Sequence, residues 1–188
     1  LKIAALDVGI KSSILTNLVD RGCYVQVFPA KTSFEEMNSW QPDGFFISNG
    51  PGDPSVMDYA ISTVQKILVS GKPIFGICLG SQLLGIASGA TTYKLKYGHR
   101  SHNQPVIEHQ SNKCFITCQN RGFAVDQTKI KKDFIPYFIN LNDNTCEGIQ
   151  HKSKPFFATQ FHPEASGGPT DTGFLFDKFL EMIIKSKN

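Results

Sequence analysis

Gly76-Ile77-Cys78-Leu79-Gly80 sets a cysteine where the apolar run Pro73 to Ile77 gives way to helix-like spacing at Gln82, Leu83, Leu84, Ile86 and Ala87. A strand that turns sharply into a helix pushes the residue at the turn into the crevice at the sheet's carboxyl end. Small residues two positions to either side let strand and helix close up. The helix N-terminus adds unpaired N–H groups and the positive end of the dipole, which favour thiolate over thiol. An inert strand-end thiol is the plainer reading, and the flanking glycines argue against it. A thiolate that transfers acyl groups needs an acid and a base, and His162 in Phe161-His162-Pro163-Glu164 is the best placed, directly after the strand-like run Phe156 to Phe161. Glu164, two residues on, has a carboxylate that can hold the imidazole in one tautomer and stabilise its cation. A His-x-Glu alone is common surface sequence; beside the elbow it completes a candidate catalytic set of Cys78, His162 and Glu164.

Gly50-Pro51-Gly52-Asp53-Pro54 follows a third strand-like run, so its backbone should face the same crevice as Cys78. Gly50 and Gly52 can present N–H groups without a Cβ in the way, as a second oxyanion donor and a wall for a substrate. A tight Pro/Gly turn is the ordinary alternative. The run nearly spells a dinucleotide fingerprint, but its prolines remove donors and its third glycine is missing. Gly9-Ile10-Lys11-Ser12 likewise lacks the leading glycine of a phosphate loop and reads as a strand-to-helix turn. His99 and His102 with Cys114 and Cys118 do not match a zinc spacing, and a solvated polar loop with core thiols accounts for them. No metal site is expected.

The elements that must position these residues alternate through the first half. Strands are expected at Lys2 to Asp7, Tyr24 to Phe28, Gly44 to Ser48 and Pro73 to Ile77, and helices at Ser12 to Asp20, Phe34 to Trp40, Val56 to Val69 and Gln82 to Ala87. This pattern implies an α/β fold, a mostly parallel sheet with helices on both faces. Closely spaced strands follow at Pro105 to His109, Cys114 to Gln119, Phe134 to Leu141, Thr145 to His151 and Phe156 to Phe161, some forming an antiparallel extension. An amphipathic helix from Thr172 to Lys185 should return to cover a sheet face.

The 188 residues suit one domain, and 40% hydrophobic content with 15 Phe excludes disorder as the main state. No apolar run is long enough to span a bilayer, and no signal peptide opens the chain. Scattered basic residues and a net charge of +3 give nucleic-acid binding little support. Five cysteines, an odd number, argue against a disulfide framework and for a reducing cytoplasm. A first residue Leu1 reads as a domain taken from something longer.

Gly76-Ile77-Cys78-Leu79-Gly80-Ser81-Gln82 with Phe161-His162-Pro163-Glu164 resembles the class I glutamine amidotransferases over nearly the whole chain. Asp7-Val8-Gly9-Ile10-Lys11, Ser48 to Pro54, Tyr97-Gly98-His99-Arg100 and Gln119 to Asp126 are similar to the small-subunit branch of carbamoyl phosphate synthetases. Ser81, where that branch usually has His, departs from the pattern at a position outside the catalytic set. The resemblance implies a flavodoxin-like fold in which Cys78 attacks the side-chain amide of L-glutamine, releasing ammonia and then glutamate, with His162 as acid and base and Glu164 orienting it. It further implies an oxyanion hole from the N–H groups of Gly50 and Leu79, and a glutamine pocket lined by Gly50, Gly52, Leu79, Gln82, Asn120, Gly122 and Phe123. The implied partner is a large synthetase subunit that carries the ATP and metal sites and makes carbamoyl phosphate for pyrimidines and arginine, so no cofactor is expected on this chain. A missing N-terminal small-subunit domain is implied as well. The alternatives are another cysteine hydrolase of this fold, such as a γ-glutamyl hydrolase, or a catalytically silent docking module.

Overall fold

The computed structural model describes residues 1–188, and its elements follow the hydrophobic periodicity closely in the first half. They are β1 (Lys2–Asp7), α1 (Ser12–Asp20), β2 (Tyr24–Pro29), α2 (Phe34–Ser39), β3 (Gly44–Ile47), α3 (Asp58–Ser70), β4 (Ile74–Ile77) and α4 (Leu79–Ala87). A single 3-10 turn at Pro54–Val56 takes up the start of the expected third helix. The second half contributes β5 (Thr92–Glu108), β6 (Cys114–Val125), β7 (Phe134–Asn140), β8 (Cys146–His151), β9 (Phe156–Thr159) and α5 (Phe174–Ser186). All nine strands form one sheet in the order β2-β1-β3-β4-β9-β8-β7-β5-β6. Its first five members run parallel, and the rest pair antiparallel.

Alternation along the parallel strands sorts their side chains into two cores. Ala4, Leu6, Phe45, Ile47 and Ala158 face one side with Met37, Val64, Ile67 and Leu83 of α2, α3 and α4. Ile3, Ala5, Phe46, Phe75 and Phe157 face the other with Ile14 and Leu18 of α1 and Leu175, Phe176 and Phe179 of α5. Helices on both faces are what buries a parallel sheet. The aromatic content concentrates in the second core, where Phe75 stacks on Phe157 at 4.5 Å between centroids and meets Phe46, Phe176 and Phe179 at 5.5 to 5.7 Å. No helix is long and apolar enough to cross a membrane.

Three expectations need correcting. His99 and His102 lie within the 17-residue strand β5 rather than in a solvated loop, and β6 extends well past Gln119 to Val125. Polar side chains occupy both faces of this ribbon, and its register shifts between Lys94 and His99 and again between Ser101 and Gln104, so no period-2 hydrophobic signal survives. Nor are both thiols of β6 in the core: Cys114 is exposed and Cys118 half-buried. All five cysteines are free.

The sheet is strongly curled. The His162 N–H donates to the Cys118 carbonyl at 2.9 Å, although β6 lies four strand positions from β9. A flat sheet would hold them about 19 Å apart at about 4.8 Å per strand. The β5–β6 ribbon therefore bends back over the carboxyl ends of the parallel strands.

Close approach of β3 to α4 sets a limit at one glycine. A β-carbon on Gly80 would be driven into the carbonyl oxygen of Ile47 and would lie 3.0 Å from that of Ser48, both of them backbone atoms unable to swing aside. Gly80→Ala is expected to cost about 3 kcal/mol. A thermal or denaturant midpoint equal to that of the unsubstituted chain would show that α4 can shift to accept a methyl group.

Candidate active site

The carboxyl ends of β1, β3, β4 and β9 converge on a cleft of about 540 Å³. Its position follows from chain direction. From β1 the chain runs outward to β2 and then crosses back to β3 on the opposite side of β1, so the loops leaving β1 and β3 diverge and open a crevice between them. Those loops are tied together where they start. Ser48 Oγ accepts from the Val8 N–H at 2.9 Å, and Asn49 Oδ1 accepts from the Lys11 N–H at 3.2 Å. Gly50 packs so tightly on the first loop that a β-carbon there would collide with the Val8 carbonyl.

Cys78 stands between β4 and α4 with φ 56° and ψ −106°, a conformation that L-residues rarely adopt. Its backbone is held from both directions. The Cys78 N–H donates to the Thr159 carbonyl at 2.8 Å, while its own carbonyl accepts from the N–H groups of Ser81 and Gln82 at 3.0 and 3.2 Å. The elbow therefore exists because the β4–β9 pairing continues one residue past the strand and α4 begins at once. The N–H groups of Leu79 and Gly50 have no acceptor within the protein. Both are free to meet a negative oxygen.

His162 follows β9 by three residues and is buried, as is Glu164 behind it. Glu164 Oε1 lies 2.6 Å from His162 Nδ1, which turns the other ring nitrogen toward the sulfur. Burial alone would drive the ring toward neutrality. Its interactions with the Cys78 sulfur and the Glu164 carboxylate outweigh that and push its pKa up to about 9. The second oxygen, Glu164 Oε2, is buried without a partner, and Lys11 Nζ lies 3.6 Å from Oε1.

The residues expected to form the oxyanion hole and the glutamine pocket lie at this site. Gly50, Gly52, Cys78, Gln82, Asn120, Gly122, Phe123 and His162 line the cleft; Leu79 contributes its backbone at the elbow, and Glu164 sits behind the histidine. Gln82 donates from Nε2 to the Phe123 carbonyl and to Gln160 Oε1, both at 3.0 Å, which leaves its Oε1 as the atom able to accept from a ligand.

Sequence reasoning missed four residues. Lys11, Lys94 and Arg100 bring positive charge to the cleft, where Asp53 is the only lining carboxylate, and the mix suits a ligand carrying a carboxylate of its own. Gln160, immediately before the Phe-His-Pro-Glu run, donates from Nε2 to the Cys78 sulfur at 3.7 Å. A polar residue ending an apolar strand was the available signal for Gln160. Nothing in the spacing pointed to the others.

His99 belongs to a separate buried cluster. Its ring nitrogens lie 2.8 Å from Gln119 Oε1 and 2.7 Å from Asp143 Oδ2, next to an Arg121–Glu147 pair at 2.7 Å. Hydrogen bonding to Glu147 above all raises its pKa against the opposing effect of burial. No three His, Cys, Asp or Glu side chains are grouped as a metal site would need.

The comparisons agree with this architecture. The profile of the class I glutamine amidotransferases matches residues 4–182, and the chain belongs to that family. Within it, the chain is 52% identical to the carbamoyl phosphate synthase arginine-specific small chain of Debaryomyces hansenii, over 97% of this chain and 43% of the relative. It is 49% identical to the carbamoyl phosphate synthase small chain of Clostridium acetobutylicum, over 96% and 52%. The chain thus spans about half the length of the curated relatives it matches. Among solved structures, a putative GMP synthase subunit from Thermoplasma acidophilum shares the fold with a TM-score of 0.84 at 22% identity, covering 100% of this chain and 96% of that one.

The charge on His162 can be tested directly. Its pKa of about 9 lies above the ordinary 6.5, so folding takes up a proton between those values. The stabilisation it brings is complete below pH 6.5 and is lost as pH rises through about 9. Glu164→Gln removes one cause of the elevation, so the ring should titrate at lower pH when followed by NMR. An unchanged midpoint would show that Glu164 does not support the cation.

Proposed function

We propose that this chain hydrolyses the side-chain amide of L-glutamine through a thioester on Cys78 and supplies the ammonia to a carbamoyl phosphate synthetase large subunit. The observation that carries the reading is the buried His162–Glu164 pair turned toward a sulfur at a helix N-terminus, with two free N–H groups beside it. The Cys78 thiolate adds to the amide carbon, and the carbonyl electrons move onto oxygen, facing the Leu79 and Gly50 N–H groups. Collapse of that adduct breaks the C–N bond while the His162 imidazolium gives its proton to the leaving nitrogen, so ammonia departs and a glutamyl thioester remains. Water then attacks the thioester, neutral His162 takes the water's proton, and glutamate leaves as the thiolate is restored.

Gln82, Asn120, Gly122, Phe123 and Gly52 surround the substrate. Gln82 Oε1 accepts from an N–H of glutamine, and the basic cleft residues attract its carboxylate. The kinship with carbamoyl phosphate synthase small chains supports the acceptor assignment, and the arginine-specific names of several relatives favour arginine supply, with pyrimidine supply as the other outlet. ATP and metal chemistry belong to the partner. The additional length of the relatives supports a further small-subunit domain that completes the pocket and docks on the partner, in the cytoplasm.

Exposure to a diazo-ketone glutamine mimic should label Cys78, and Cys78→Ala or Cys78→Ser should abolish both thioester trapping and glutamine turnover. The chain alone should turn over glutamine weakly and gain at least about tenfold when the synthetase partner completes and aligns the site. Turnover surviving in the Cys78 variants would overturn the nucleophile. Glutaminase activity without any glutamine-dependent carbamoyl phosphate synthesis in the reconstituted complex would overturn the acceptor.

A further inference from the structure

Gln160 is almost wholly buried between the end of β9 and the catalytic histidine. Its backbone N–H donates to the Glu147 carbonyl at 2.8 Å, which fixes where the side chain starts. The amide is then held at both ends: Oε1 accepts from Gln82 Nε2 at 3.0 Å, and Nε2 donates to the Cys78 sulfur at 3.7 Å. Which end faces the sulfur is dictated from the far end of the chain of contacts. The Phe123 carbonyl, which can only accept, takes hydrogen bonds from Gln82 Nε2 at 3.0 Å and from Arg121 Nη1 at 3.1 Å. Gln82 must therefore turn its NH₂ group inward, Gln160 must answer with its oxygen, and the NH₂ group of Gln160 is left pointing at Cys78. Arg121 is itself locked by Glu147 at 2.7 Å, so the series begins at a buried ion pair and ends at the nucleophile.

We infer that Gln160 is a positioning residue for Cys78, its amide N–H steadying the sulfur as a thiolate and fixing the direction from which it attacks. A nearly buried thiolate has lost most of its hydration and needs donors from the protein in its place. The imidazolium of His162 supplies one, and the Gln160 amide N–H, which does not titrate, supplies a second. This role rests on Cys78 being the nucleophile of the proposed hydrolysis.

The test is Gln160→Met, which keeps the volume and removes the donor, with alkylation of Cys78 by iodoacetamide followed against pH by peptide mass mapping. Alkylation near neutral pH should fall about threefold to tenfold, and the profile should move to higher pH. The kcat for glutamine should fall about tenfold, with KM rising by a smaller factor as Gln82 loses the Gln160 oxygen, so the larger part of the loss marks an interaction with the reacting atom. Gln160→Glu should lower alkylation further, because it sets a like charge beside the sulfur. An alkylation profile unchanged in a folded Gln160→Met chain overturns the inference, as does a loss confined to KM. Should the Met variant fail to fold, Gln160→Asn, which keeps the amide but withdraws it from the sulfur, must show the same displacement or the inference falls. Alkylation requires no glutamine, so a displaced profile in a chain that turns over no glutamine supports the role of Gln160 and removes only the functional reading.

Discussion

The hydrogen bond from the Cys78 N–H to the Thr159 carbonyl is the contact on which the site depends. It extends the parallel pairing of β4 and β9 by one residue, beyond the last paired positions Ile77 and Thr159. Two segments remote from each other in the chain are thereby brought side by side at the same end of the sheet. The strained backbone of Cys78, the entry of Gln160 beside the sulfur and the arrival of His162 all follow from that one register. A slip of one residue would turn Gly76 and Cys78 to the opposite face and separate sulfur from imidazole.

Two buried charge systems reach the cleft, and each offsets its desolvation differently. Beside Cys78, the cation is a histidine, whose charge can be given up and recovered. In the other, Arg121, which lines the cleft, pairs with Glu147, supported by Thr145 and Asn140 at 3.0 and 2.9 Å. That pair serves as a fixed point for the amides of Gln82 and Gln160. One pair can exchange a proton and the other holds the geometry around it.

Much of this was legible in the residue order, and the parts that were not share a physical cause. The parallel half announced itself because its strands are short, apolar and separated by helices with clear spacing, so β1, α1 and β4 fall within a residue or so of their expected bounds. The elbow and the Phe-His-Pro-Glu run were legible because glycine and proline mark backbone geometry as well as composition. The β5–β6 ribbon was not, since its interior is built from His99, Gln119 and Arg121, polar residues whose burial depends on partners distant in sequence. Lys11 escaped for a related reason: it occupies an ordinary turn, and only the curl of the sheet and the placement of Glu164 give it a neighbour to interact with. Pairings between remote polar groups leave no periodic trace.

The insertion of β9 between β4 and β8 has a consequence for biosynthesis. Its neighbours are made before it, so the slot in the sheet stays open until the residues beyond Thr159 have left the ribosome, and long-range parallel pairing is slow to form. A nascent or prematurely terminated polypeptide carries the thiol but neither the imidazole nor the strand that bends its backbone. Such fragments would carry the sulfur without the ring and carboxylate that meet at the same end of the finished sheet.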